Sequence, residues 1–177
     1  MANIVIPPHF KPSHFRHTDP IDEDFSSPLL EVPGSILFIC NFNAVRSPMA
    51  EGLTKYFFGR KIYVESAGIR TEDSVANPFA IAVMEEIGLD LSHHKPKKIE
   101  DLMDSSFDLV ITLSPEAQHK AIDLTRTLDC QVEYWPTLDP TAVVGNRENI
   151  MSAFRQTRDM LTTKIKERFA VDYFPSV

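Results

Sequence analysis

Ser35 to Cys40 reads Ser-Ile-Leu-Phe-Ile-Cys, an apolar run without charge and without alternation, and it constrains the fold more than any other feature of the chain. A strand with one wet face alternates polar and apolar side chains, whereas a run that is apolar throughout must be covered on both faces. Cover on both faces means helices above and below a sheet, and the remaining sequence supplies them. Lys61 to Glu65, Asp108 to Leu113 and Gln131 to Trp135 are further short strand-like runs, with longer helical segments between them. Three helix starts have the same punctuation. Ser47-Pro48, Asn77-Pro78 and Ser114-Pro115 each put a capping side chain before a proline, whose missing N–H costs nothing in a first turn. Helices are therefore predicted over Met49 to Phe58, from Pro78 to Gly88, from Pro115 to about Leu128, and over residues 146–170. Ala80, Val83, Met84 and Ile87 share a face of the second; Ile150, Phe154, Leu161, Ile165 and Phe169 share a face of the last. Strands alternating with helices predict an α/β fold: a parallel sheet of four strands covered by helices, with Ser35 to Cys40 central.

The first 33 residues follow no such period. They hold six of the thirteen prolines and three of the six histidines, and are expected to form an irregular arm ahead of a domain over 34–177. His9, His14 and His17 lie among Pro7, Pro8 and Pro12 with no cysteine nearby, so no metal site is expected there. At 177 residues and 43% hydrophobic, the chain has enough apolar material for one core. Its net charge of −7 opposes binding to nucleic acid or an anionic membrane, so any anionic ligand must be held by local geometry. No apolar run is long enough for a membrane span, residues 1–30 lack a signal-peptide pattern, and a cytoplasmic location is expected. The two cysteines, Cys40 and Cys130, are too few for a disulfide framework and fit a reducing compartment.

The chemistry concentrates in Cys40-Asn41-Phe42-Asn43-Ala44-Val45-Arg46-Ser47: a cysteine ending a buried strand, five residues, then Arg-Ser opening a helix. In an open parallel sheet, ligands bind at the carboxyl ends of strands, where Cys40 is expected. A loop running from strand into helix can turn its N–H groups inward as an anion nest, and the helix dipole adds partial positive charge. The same field favours a thiolate at Cys40. Arg46 supplies a planar fork that can hold two oxygens of a tetrahedral oxyanion, and Asn43 tolerates the left-handed backbone that a nest needs.

At these residues the chain resembles the low-molecular-weight protein tyrosine phosphatase family, which shares its fold with thioredoxin-coupled arsenate reductases. The resemblance covers residues 35 to about 172. It rests on Cys-x5-Arg-Ser-Pro-x-Ala-Glu from Cys40 to Glu51, on Glu65-Ser66-Ala67-Gly68, on Gly88-x-Asp90-x-Ser92-x-His94, on Phe107-Asp108-Leu109-Val110, and on Asp139-Pro140. It implies a doubly wound three-layer α/β/α fold and two-step hydrolysis of a phosphomonoester without metal or other cofactor. It assigns Cys40 as nucleophile, Arg46 as phosphate clamp, Ser47 as the hydroxyl that stabilises the thiolate, and Asp139 as general acid. Asn43, Ser66 and, by spacing, His94 rather than the adjoining His93 would hold the loop in shape. The expected substrate is a phosphorylated protein, phosphotyrosine foremost, or a small phosphomonoester.

The chain departs from the family pattern in three places. Phe42 stands where relatives carry glycine, Val45 where a second cysteine is common, and Thr141 where an aromatic residue follows Asp-Pro. Phe42 or Trp135 is the expected replacement for that aromatic wall. Two other readings stay open. An arsenate reductase is suggested by Trp135-x-x-x-Asp139-Pro140, although Ser114 stands where a relay cysteine is expected; a phospho-ligand binding module with little turnover is suggested by Phe42.

Overall fold

A computed structural model describes residues 32–102, 106–124 and 129–169. The arm over residues 1–31 lies outside the described residues. The strands are β1 (Ser35–Cys40), β2 (Tyr63–Gly68), β3 (Leu109–Thr112) and β4 (Gln131–Tyr134). The helices are α1 (Arg46–Phe58), α2 (Pro78–Glu85), α3 (Pro115–Leu124) and α4 (Arg147–Phe169). All pairings are parallel in the order β2-β1-β3-β4, which makes β1 an inner strand, as its composition requires.

Side chains alternate across β1 into two separate cores. Ile36, Phe38 and Cys40 join α1, α2 and α4 on one face, while Leu37 and Ile39 join Ala117 and Ala121 of α3 on the other. This is the doubly wound three-layer α/β/α arrangement. The first face carries the larger aromatic content: Phe38 meets Trp135 edge-on at 6.1 Å, and Phe58 meets Phe169 at 5.7 Å. Fully burying a phenylalanine side chain such as Phe38 or Phe154 contributes roughly 1.5–3 kcal/mol each.

Four boundaries or faces differ from the sequence reading. β2 runs to Gly68 rather than ending at Glu65, because Ser66, Ala67 and Gly68 pair with Phe38, Ile39 and Cys40. Small residues are poor strand formers by propensity, but here a bulkier strand end would strike the loop beyond β1. α1 begins at Arg46, so Ser47 is not its cap and Pro48 is its third residue; a first turn has no intrahelical use for that N–H. α2 stops at Glu85, leaving Ile87 exposed instead of on the buried face. In α4, Met151 takes the buried position beside Ile150, which is half-buried. The expected end of α3 near Leu128 falls on residues outside those described.

Parallel topology brings the carboxyl ends of β1 and β3 to one edge of the sheet. The chain beyond β4 continues along β3, with Trp135 N–H donating to Thr112 O at 2.8 Å and Thr137 N–H to Leu113 O at 3.2 Å. That path delivers Asp139 to the same edge as Cys40.

Candidate active site

The loop from Asn41 to Val45 is held by its backbone. Ile69 N–H donates to Cys40 O at 3.1 Å, Arg70 N–H to Asn41 O at 3.0 Å, and Asn77 N–H to Ala44 O at 2.8 Å. Asn43 adopts φ +54°, the only positive φ outside glycine among the described residues. This conformation costs most residues about 1 kcal/mol or more but suits asparagine. It turns the Asn43 N–H back onto Cys40 Sγ at 3.3 Å. At the start of α1, Val45 offers no side-chain cap, so the first N–H groups of the helix remain available to an anion.

Beneath the loop, the buried Asn43 side chain uses all its hydrogen-bonding capacity. Its Nδ2 donates to Ser47 Oγ at 2.9 Å and Ser66 Oγ at 2.8 Å. Its Oδ1 accepts from Lys97 N–H at 2.9 Å and from His94 Nε2 at 3.2 Å. His94 Nε2 also lies 3.0 Å from Asn43 O; a carbonyl only accepts, so the hydrogen sits on Nε2. His93, by contrast, is exposed and faces Asp90. Ser66 Oγ donates to Glu51 Oε2 at 2.5 Å. Ser47 Oγ lies 3.0 Å from Cys40 Sγ and 3.3 Å from Ala67 O. One hydroxyl hydrogen serves both: it can point to Ala67 O while Cys40 is a thiol and turn to sulfur when Cys40 is a thiolate.

Across the mouth, Arg46 NH1 donates to Thr137 O at 3.0 Å and NH2 to Asp139 Oδ2 at 2.8 Å. The guanidinium is 6% exposed and the carboxylate 30%, so water screens this pair only in part. The other carboxylate oxygen, Oδ1, accepts from Thr141 N–H at 3.0 Å and Thr141 Oγ1 at 2.7 Å. Thr141 thus orients Asp139 where the family pattern would supply an aromatic wall. A pocket of about 170 Å³ is lined by Cys40, Phe42, Ala44, Val45, Arg46, Glu72, Asp73, Asn77, Asp139 and Thr141. Phe42 walls this pocket instead of filling it, and the Arg70 guanidinium covers its ring at 4.7 Å. Trp135 is not a second wall: it is buried in the core against Phe38 and Phe169. Asn41 is tied by Ser114 Oγ, which lies 2.5 Å from its Oδ1, so the position expected for a relay thiol does adjoin the loop but holds a hydroxyl.

Sequence reasoning missed Gly68, Glu51, Thr137, Lys97 and the pair Glu72 and Asp73. Gly68 and Glu51 lie within quoted motifs and had a signal. Thr137 and Lys97 act through backbone atoms, which residue types do not reveal. Gly68 is the most constrained of these. A Cβ there would meet Arg70 O at 2.6 Å and Asn43 N and Phe42 C at 2.9 Å, all of them backbone atoms that cannot swing away. Gly68→Ala is expected to cost about 1–3 kcal/mol of stability and, by displacing the loop, more than tenfold in turnover. Thermal unfolding and steady-state assay of one preparation check this, and unchanged values for both would mean that the loop tolerates the shift.

Burial depresses the His94 pKa below the ordinary histidine value, opposed by the Glu51 carboxylate and by the hydrogen bond to Asn43. The folded protein thus binds this proton less readily than the unfolded chain. Stability should fall as pH drops through the unfolded value near 6.5 and level off below the folded one. His94→Gln should remove that part of the acid slope in urea titrations between pH 7 and 5; an identical slope would mean that other groups carry it.

These features set a buried cysteine, a strand-to-helix loop with an uncapped helix start, and a buried arginine together at the end of a parallel sheet. Residues 35–170 match the family described as low molecular weight phosphotyrosine protein phosphatase, and the chain belongs to this family. Arsenate reductase 1 of Staphylococcus epidermidis is 37% identical over 136 residues, covering 77% of this chain and 95% of the relative. A solved arsenate reductase in an oxidised state superposes with TM-score 0.62 at 30% identity, covering 77% of this chain and 97% of its own. The YwlE arginine phosphatase, solved as a mutant with a phosphorylated active-site serine, gives TM-score 0.61 at 27% identity, covering 78% and 93%.

Proposed function

We propose that the protein is a cysteine-dependent phosphatase that removes the phosphoryl group from a protein side chain, phosphotyrosine foremost, through a phosphocysteine intermediate. The observation that carries this reading is the convergence of Cys40, Arg46 and Asp139 on one pocket. In the first step Cys40 Sγ attacks phosphorus. The P–O bond to the leaving group breaks, and Asp139 gives that oxygen its proton. In the second step Asp139 takes a proton from water as the water attacks the phosphocysteine, releasing phosphate and regenerating the thiolate. Loop N–H groups and Arg46 carry the charge on the equatorial oxygens in both steps. A phosphoryl group that engages Arg46 competes with Asp139 for the guanidinium, which would free the carboxyl for the leaving group.

The curated relatives' names favour a second reading, arsenate reduction at the same cradle. Reducing arsenate to arsenite takes two electrons, supplied by two thiols that end as a disulfide. Cys130 is a poor partner for Cys40. Register places Cys40 four residues past Ile36 and Cys130 one before Gln131, two strands away. The separation is roughly 16 Å along the strands and 10 Å across them, against the 7 Å or so that a disulfide allows between Cα atoms. Burial and the Asp129 charge also push the Cys130 thiol up. The second thiol would have to come from another molecule. Two assays separate the readings: vanadate-sensitive turnover of p-nitrophenyl phosphate supports the phosphatase, and arsenate-dependent oxidation of added glutathione or thioredoxin without such turnover supports the reductase. Tight phosphate binding with neither activity would leave only a binding module.

A further inference from the structure

We propose that Glu72 and Asp73 make the pocket mouth selective for phosphorylated polypeptides with a lysine or arginine beside the phosphorylated residue. This rests on the phosphatase reading for the phosphoryl group alone. The pocket floor is built for an anion, from the loop N–H groups, the start of α1 and Arg46. Yet Glu72 and Asp73 line the same pocket, are exposed, and make no ion pair or hydrogen bond with another described residue. Asp139 is neutralised by Arg46, but these two carboxylates are not.

Glu72 and Asp73 have no ion-pair partner among the described residues, and the single Arg70 guanidinium over Phe42 can offset only part of their charge, so the entrance to the oxyanion site weakens binding of a bare phosphate, with the net charge of −7 adding to the repulsion at longer range. A ligand with a cation next to its phosphoryl group reverses the sign of that term, since the cation sits against Glu72 and Asp73 while the phosphoryl group reaches Cys40. A polypeptide is favoured over a small zwitterion because exposed apolar side chains lie near Asp139 in the chain. Leu138 and Val144, on the segment that carries Asp139, are each 89% exposed. Neither lines the pocket, so a ligand that touches only the pocket walls would leave both uncovered.

The test uses three phosphotyrosine peptides that differ only in having Lys, Ala or Asp on both sides of the phosphotyrosine. Binding to Cys40→Ala, which cannot transfer the phosphoryl group, is read by fluorescence anisotropy at low and high salt. Each exposed charge pair should change affinity by about 1.4- to 5-fold. With two such pairs the Lys peptide should therefore bind about two- to 25-fold tighter than the Ala peptide, and the Asp peptide weaker than both. The spread should shrink at high salt. Adding E72Q and D73N should remove most of the preference and tighten binding of inorganic phosphate. Lys and Asp peptides within twofold, a preference untouched by E72Q and D73N, or no measurable peptide binding would each overturn the proposal. O-phosphoethanolamine binding as tightly as the Lys peptide would overturn its polypeptide part. The phosphatase reading is judged separately, by wild-type turnover of p-nitrophenyl phosphate. Preference without turnover sinks that reading and leaves this one, and turnover without preference does the reverse.

Discussion

Replacing Cys40 by serine is expected to lower turnover of p-nitrophenyl phosphate by on the order of 10⁴-fold or more while the protein stays folded. A hydroxyl at the end of β1 nearly matches the thiol in shape and can keep the contacts to Ser47 Oγ and the Asn43 N–H. Neither the sheet nor the loop loses a hydrogen bond, so circular dichroism and thermal unfolding should match wild type. The nucleophile, however, becomes an alcohol whose anion is scarce at neutral pH. Mass spectrometry after incubation with an aryl phosphate would show whether the serine holds a phosphoryl group, as in the solved YwlE mutant. A variant that keeps a tenth of the wild-type rate would exclude Cys40 as the attacking atom.

Asp139→Asn should show a different pattern, set by the leaving group. An alkyl phosphate or unactivated aryl phosphate needs a proton on its departing oxygen, and its rate should fall by about 10²–10⁴, the usual worth of general acid catalysis. p-Nitrophenolate leaves without much help, so its loss should be far smaller. The substitution also removes the negative charge that faces Arg46 at 2.8 Å, so inorganic phosphate and vanadate should bind more tightly. A series of aryl phosphates graded by phenol acidity measures the first effect and competitive inhibition by phosphate the second. Equal losses across the series would remove Asp139 from the acid role and leave it as a partner for Arg46 and Thr141 only.

Much of this architecture is readable from local pattern. The uninterrupted apolar run of β1 demanded two cores, and two cores are present; each Pro-marked helix exists within a few residues of its expected start. Mistakes arose where tertiary demands override propensity. Ser66-Ala67-Gly68 looks like a loop by composition, yet is strand because it pairs with Phe38, Ile39 and Cys40, and at Gly68 a side chain would strike the backbone of the Cys40 loop. Ser47 has the sequence signature of a helix cap, but a cap would consume the N–H groups that an anion needs, and its hydroxyl faces Cys40 instead. Trp135 looked available as a pocket wall because sequence distance to Asp139 is short, but its large apolar surface is worth more against Phe38 and Phe169. Glu72 and Asp73 carry no periodic or motif signal, and only the folded path of the chain after β2 brings them to the mouth.

The backbone bonds that tie Cys40, Asn41 and Ala44 to the segments after β2 have an entropic consequence. Loops are usually the first parts of a protein to open to solvent, and a loop that must be ordered by its ligand gives up part of the binding free energy to do so. Here the loop's carbonyls are held by Ile69, Arg70 and Asn77, and its conformation is fixed by an asparagine with no spare hydrogen-bonding capacity. The amide hydrogens of Ile69, Arg70 and Asn77, which hold those carbonyls, should therefore exchange with solvent on the timescale of the β1–β2 pair, whereas the loop N–H groups that face the pocket exchange quickly until an anion takes them. An arriving oxyanion meets donors already in place, and adds little to the protection of the strands behind them.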